Sequence, residues 1–152
     1  MVIDEPRLTA SLGDAGMSIA FSDPQFDAAG TLRYLQVRLH GNQLDARLTF
    51  YVYDVAEIVR YFQGLDEEWR GWPGERRFES VESELQLSAR HAGRIELSAR
   101  LTGEAAREIS SHVGWTAQAI VGVEPGEELS RFVRDLDALT TRVTAQALFA
   151  SM

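Results

Sequence analysis

The sequence predicts an α+β domain: a largely antiparallel, twisted sheet of about seven strands, curled or split in two, with one inserted helix and one C-terminal helix. Three observations carry this. Side chains alternate apolar and polar over most of the chain, the period changes from two to 3.6 at Asp54 and again near Glu127, and neighbouring alternating runs are joined by connections of hairpin length. Sequential strands usually pair, and the regularly alternating helices that a parallel α/β fold needs are missing.

Leu8, Ala10 and Leu12 share one face of a first strand, a Gly13–Gly16 turn follows, and Met17, Ile19 and Phe21 return the chain. Asp23-Pro24 is expected to end that hairpin, because proline lacks a ladder donor, leaving residues 22–30 as a loop. Thr31–His40 and Gln43–Tyr53 alternate Leu35, Val37 and Leu39, then Leu44, Ala46, Leu48, Phe50 and Val52, against polar neighbours. Gly41-Asn42 between them suits a type II′ turn with glycine at the first central position.

Asp54 is placed to cap a helix, with Glu57 reaching back and Tyr53 and Ile58 positioned as a hydrophobic staple. Val55, Ile58, Val59, Phe62 and Leu65 form its apolar stripe, with Arg60 and Tyr61 turned away. Asp66 to Arg77 mixes charge, glycine and tryptophan and is not regular throughout. A second long hairpin then places Leu85, Leu87 and Ala89 opposite Ile95, Leu97, Ala99 and Leu101, with Glu84, Gln86, Ser88, Arg94, Glu96, Ser98 and Arg100 on a wet face. Val113–Val123 reads as a last strand with Trp115, Ala117, Ala119, Val121 and Val123 on one side. Leu129, Phe132, Val133, Leu136 and Leu139 recur at helical spacing behind Glu127 and Glu128.

At 152 residues the chain matches one domain spanning 1–152, large enough to bury roughly 68–70% of its unfolded surface. With 45% apolar and 25% charged residues it lies away from the disordered regime. There is no cysteine, which excludes thiol nucleophiles and cysteine-ligated zinc. All 15 basic residues are arginine, which excludes Schiff-base chemistry and the lysine of a P-loop. Against 23 acids they leave a net charge of −8, which repels a phosphate backbone and attracts a basic protein partner. No apolar run approaches the ~18 residues that span a bilayer, and the acidic N-terminus lacks a signal peptide, so a cytoplasmic protein is expected.

Trp69, Arg70, Trp72, Glu75 and Arg76 are the candidate binding residues, since tryptophan and arginine dominate binding hot spots and Gly71-Trp72-Pro73-Gly74 restricts the loop that carries them. The same residues suit a plug, with both tryptophans leaning on the sheet edge and the arginines paired to acids; small sheet domains need such large side chains to cover an open end. His40, His91 and His112 lack metal-ligand spacing, and no cofactor is expected. Ser110, Ser111 and His112 are adjacent without the geometry of a triad. Glu82 and Glu84 would lie about 7 Å apart on one strand face, where charged alternation explains them without catalysis.

The stretch from Tyr53-Asp54 through Trp69-Arg70-Gly71-Trp72-Pro73-Gly74-Glu75-Arg76, with Glu79–Leu85 and Glu124–Leu129, resembles an uncharacterised actinobacterial family of unknown function over about residues 7 to 140. In size and architecture the chain is also similar, more distantly, to immunity proteins of polymorphic toxin systems, which bind and neutralise a cognate toxin. The expected function is therefore a non-enzymatic protein-binding module, an immunity-type inhibitor meeting a basic partner. The alternative is a small-molecule or structural module with a pocket lined by Trp115, Phe50 and tyrosines. A hydrolase using carboxylates comes third. Oligomeric state stays open, since Val143, Ala147, Leu148 and Phe149 suit docking on a second copy as well as on their own sheet.

Overall fold

The computed structural model describes residues 8–103 and 114–150, with side chains through 141. Its elements run β1 (Ala10–Gly13), β2 (Ser18–Phe26), β3 (Leu32–Gly41), β4 (Leu44–Tyr51), α1 (Val55–Glu67), β5 (Glu75–Glu79), β6 (Leu85–Ala92), β7 (Arg94–Thr102), β8 (Thr116–Val123) and α2 (Glu127–Ala150). The strands form two four-stranded antiparallel sheets, β1-β2-β3-β4 and β5-β6-β7-β8. The sheets approach each other where β1 passes β8 and β4 passes β7. Among the described residues no ladder joins the two halves, so the sheet is split and not closed.

Among the described residues there are eight strands, where seven were expected. The additional one, β5, has the sequence Glu-Arg-Arg-Phe-Glu, in which a single apolar residue gives no alternation to detect. It is a strand because its backbone pairs with β6, from Glu75 opposite Arg90 to Glu79 opposite Gln86, and its charged side chains suit an edge.

Two turns also differ from expectation. Asp23-Pro24 does not end β2, which continues to Phe26. Asp23 takes φ +50° and the register shifts between Ser22 and Gln25, so the proline sits in an irregularity that bypasses the ladder donor it lacks. The β3–β4 turn is centred on Asn42 and Gln43, with Gln43 at φ +67° and Gly41 already paired to Leu44. Glycine is needed at 41 for another reason: a Cβ there would collide with the Gly16 carbonyl of the neighbouring hairpin.

Alternation sends Ile19, Phe21, Leu35, Val37, Leu39 and Phe50 inward from the first sheet, and Leu85, Leu87, Ala89, Ile95, Leu97, Ala99 and Leu101 from the second. On β8 only Val121 and Val123 are fully buried. Trp115, just before the strand, remains 41% exposed, because β8 is an edge covered at one end only. Val113 and the Ser110-Ser111-His112 run lie outside the described residues.

α1 buries Ile58, Val59, Phe62 and Leu65, as its stripe requires. Asp54 caps it, its carboxylate accepting from the Ala56 amide at 3.0 Å. Tyr53 stays 68% exposed, so the expected staple adds little cover. Tyr61 is not turned away: it packs against the core and its hydroxyl donates to the Arg76 carbonyl at 2.8 Å, while burial raises its ionisation above the ordinary tyrosine value. Asp54→Ala is expected to cost about 1 kcal/mol, seen as a thermal midpoint lower by about 2–4 °C in circular dichroism. An unchanged midpoint would show that the cap adds nothing.

α2 buries Leu129, Phe132, Val133, Leu136 and Leu139, as predicted. It docks on α1 through Phe132 against Phe62, 4.8 Å between ring centroids, and through the Ser130 hydroxyl donating to Asp66 at 2.8 Å. Its first turn meets β1, where Glu128 accepts from the Gly13 amide at 3.0 Å. Phe21 stands among Phe50, Phe62 and Phe132 at 6.0 to 6.3 Å, so one ring cluster joins the first sheet to both helices. The side chains of Val143, Ala147, Leu148 and Phe149 lie outside the described residues. Among the described residues, no helix is long and apolar enough to cross a membrane.

Candidate functional site

The five residues singled out from the sequence lie at the exit of α1 and along edge strand β5. α1 ends where the Glu68 amide donates to Gly64 O and the Gly71 amide turns back to Glu68 O at 2.9 Å. Gly71 at φ +133° then aims consecutive side chains in different directions. Trp72 goes inward: it is 7% exposed, its Nε1 donates to the Ala89 carbonyl of β6 at 3.2 Å, and its ring meets His91 edge-on at 5.3 Å. Trp69 goes outward and is 47% exposed, with the Arg70 guanidinium over its ring at 5.0 Å.

His91 ties the two halves of this loop together. Its Nε2 lies 2.8 Å from the Trp69 carbonyl, and since a carbonyl only accepts, that nitrogen carries the hydrogen. From the sequence, His91 shows only that it lacks metal-ligand spacing. The contact spans 22 residues, and nothing in the local pattern marks it.

Glu75 and Arg76 belong to β5. Arg76 pairs with Glu68 at 2.8 Å and lies 6.0 Å over the Trp72 ring, and Arg77 pairs with Glu75 at 2.9 Å, which holds the Glu75 carboxyl below its ordinary range. A shallow groove of about 280 Å³ runs between α1 and β5, lined by Arg60, Tyr61, Glu68, Glu75, Arg76 and Arg77. Trp72 is thus fixed as packing, whereas Trp69 and Arg70 form a stacked pair on the surface beside a charged groove. The fold brings all five residues into one neighbourhood, in two different environments.

A second concavity, of about 540 Å³, opens where edge strand β4 passes the end of β7. Tyr34, Leu48, Thr49, Glu82, Glu84 and Thr102 line it, with Gln25 at its margin. Of the residues expected around a pocket, only a tyrosine is present: Phe50 is in the core, and Trp115 stands against Gly103. Glu82 and Glu84 are not on the wet face of a strand. They sit in the β5–β6 connection, where Ser83 takes φ +64°, and Glu84 is 5% exposed. Its Oε1 accepts from the Ser80 hydroxyl at 3.0 Å and its Oε2 from the Tyr51 amide at 3.3 Å, so it satisfies an outward-facing donor of edge strand β4. Local alternation could not reveal this, because the donor lies 33 residues away on the other sheet.

Among the described residues no group of three or more His, Cys, Asp or Glu side chains is placed to hold a metal ion. No curated protein and no solved structure matches the chain. A family model does match, described as a family of unknown function (DUF6228), and it covers residues 10–143, from the first residue of β1 into the second half of α2. Both sheets, α1, most of α2 and the whole tryptophan loop fall inside that match, and the chain therefore belongs to the DUF6228 family of unknown function.

Proposed function

We propose that this protein is a non-enzymatic protein-binding module of the immunity-inhibitor kind, working in the cytoplasm, and that it holds a basic protein partner through the surface around Trp69 and Arg70. The observation that carries the reading is the division of labour within one loop: Trp72 is 7% exposed and anchors it, while Trp69 is 47% exposed with Arg70 stacked on it. An aromatic ring already stacked and tethered through its own carbonyl loses little freedom on binding, which is where hot-spot residues gain their weight. The net charge of −8 favours encounter with a basic surface.

The test is a pull-down of partners with the wild type and the Trp69→Ala, Arg70→Ala double variant, any captured basic protein then being titrated against both by calorimetry. The double variant is expected to bind about 30-fold more weakly or worse while its thermal midpoint stays at the wild-type value. Equal affinity of the two proteins would reject this surface, and a lowered midpoint would move the loop from recognition to packing.

A further inference from the structure

We propose that the open edge of β8 pairs with the β8 of a second copy of this chain, antiparallel about a two-fold axis at Gln118, so that two four-stranded sheets join into one. β8 is the edge of its sheet opposite β5 and the tryptophan loop, so the inference goes beyond the reading above without depending on it.

The phase of the ladder shows which backbone groups are open. The Gly103 amide donates to the Trp115 carbonyl at 2.8 Å, and hydrogen-bonded pairs alternate along an antiparallel ladder. Ala117, Ala119 and Val121, opposite Leu101, Ala99 and Leu97, therefore direct their amides and carbonyls to β7. Those of Thr116, Gln118 and Ile120 point away from it. β1 passes the C-terminal end of the strand, where Gly13 meets Val121, and among the described residues no strand pairs with residues 116–120 on their outer side.

The other edges are guarded. β1 has four residues and lies against the first turn of α2. β4 displays Asp45 and Arg47 and has its Tyr51 amide capped by Glu84. β5 carries Glu75, Arg76, Arg77 and Glu79. Shortness, covers and charges are the devices that keep edges from pairing, and β8 has none of them along 116–120. Its eight residues, Thr-Ala-Gln-Ala-Ile-Val-Gly-Val, include no charge, and Ile120 stands 63% exposed with Trp115 at 41% just before the strand.

Neutrality selects the occupant. Two copies of net charge −8 repel, so a contact between them needs a surface that adds no like charges. An axis at Gln118 sets Gln118 against Gln118, Ala117 against Ala119 and Thr116 against Ile120, with every contact outside the axis made twice. The same operation on β5 sets Arg77 against Arg77 and Glu75 against Glu79, and on β4 it sets Arg47 against Arg47; like charges directly opposite destabilise a ladder. β5 and its tryptophan loop stay on the two outer edges of the joined sheet.

Sedimentation velocity of the full chain over a dilution series tests this. The wild type is expected to pass reversibly from monomer to dimer, with added salt favouring the dimer by screening the repulsion. Gln118→Pro removes an amide that β7 does not use, and is expected to leave a monomer whose thermal midpoint matches that of the diluted wild type. Gln118→Lys and Gln118→Glu, at an exposed position, are each expected to dimerise about fivefold more weakly, and an equimolar mixture of the two to recover the wild-type affinity or better. A wild type that stays monomeric at every concentration, a dimer indifferent to both charged variants, or a mixture no tighter than its components would overturn the proposal. The charged pair keeps the test decisive even where the proline variant fails to fold.

Discussion

Trp72→Ala is expected to lower folding stability by about 3–5 kcal/mol, the range for emptying a buried tryptophan site, and to lower the thermal midpoint by roughly 6–20 °C. Two losses combine. The ring leaves a void between the α1 exit and β6, and the Ala89 carbonyl loses the Nε1 donor 3.2 Å away. Neighbours lose support too: His91 no longer has the ring edge at 5.3 Å, and the Arg76 guanidinium no longer has the face at 6.0 Å. The matched control is Trp69→Ala, three residues away in sequence but 47% exposed, which is expected to change stability by less than about 0.5 kcal/mol. Urea titrations of both variants check the pair. Similar losses in the two would mean that Trp69 is as structural as Trp72, and the recognition role proposed for it would fall.

Phe62→Ala is expected to cost a comparable amount, about 3–5 kcal/mol, for a different reason. Its ring lies 4.8 Å from Phe132, 5.1 Å from Tyr61 and 6.0 Å from Phe21, so it touches α2, its own helix and the first sheet at once. It is fully buried, and no backbone at this junction can collapse into the space without moving a helix. Because Phe62 and Phe132 share one cavity, the double alanine variant should be less destabilised than the sum of the singles, by about 0.5–3 kcal/mol. Denaturant unfolding followed by near-ultraviolet dichroism measures all three. Strict additivity would show that the two helices are held to the sheet independently, contrary to the ring cluster described here.

The parts of the molecule legible in the sequence share one property: each is decided by neighbours close along the chain. Leu35, Val37 and Leu39 are buried because alternation puts them on one face of a strand, and Ile58, Phe62 and Leu65 because a helical turn does. Asp54 caps α1 because its carboxylate reaches an amide two residues on. The tryptophan loop was recognisable as a unit for the same reason, since its composition departs from that of its flanks. What escaped notice was set across the fold. β5 carries no pattern of its own and is a strand only because β6 lies beside it. Pro24 is tolerated within β2 because a register shift meets it there. His91 and Glu84 take their roles from a carbonyl and an amide 22 and 33 residues distant.

The sequence by itself therefore determined the class of the fold, the order of its elements other than β5, most of the faces they bury and the neighbourhood of the exposed tryptophan. Tertiary structure decided that the strands divide into two sheets, that Trp72 turns in while Trp69 turns out, and that a carboxylate is enclosed at the seam between β4 and β7. The physical reason is range. Side-chain periodicity and capping act within a few residues and are written in local order, whereas the burial of a charge and the direction of a ring depend on which distant backbone arrives next to them.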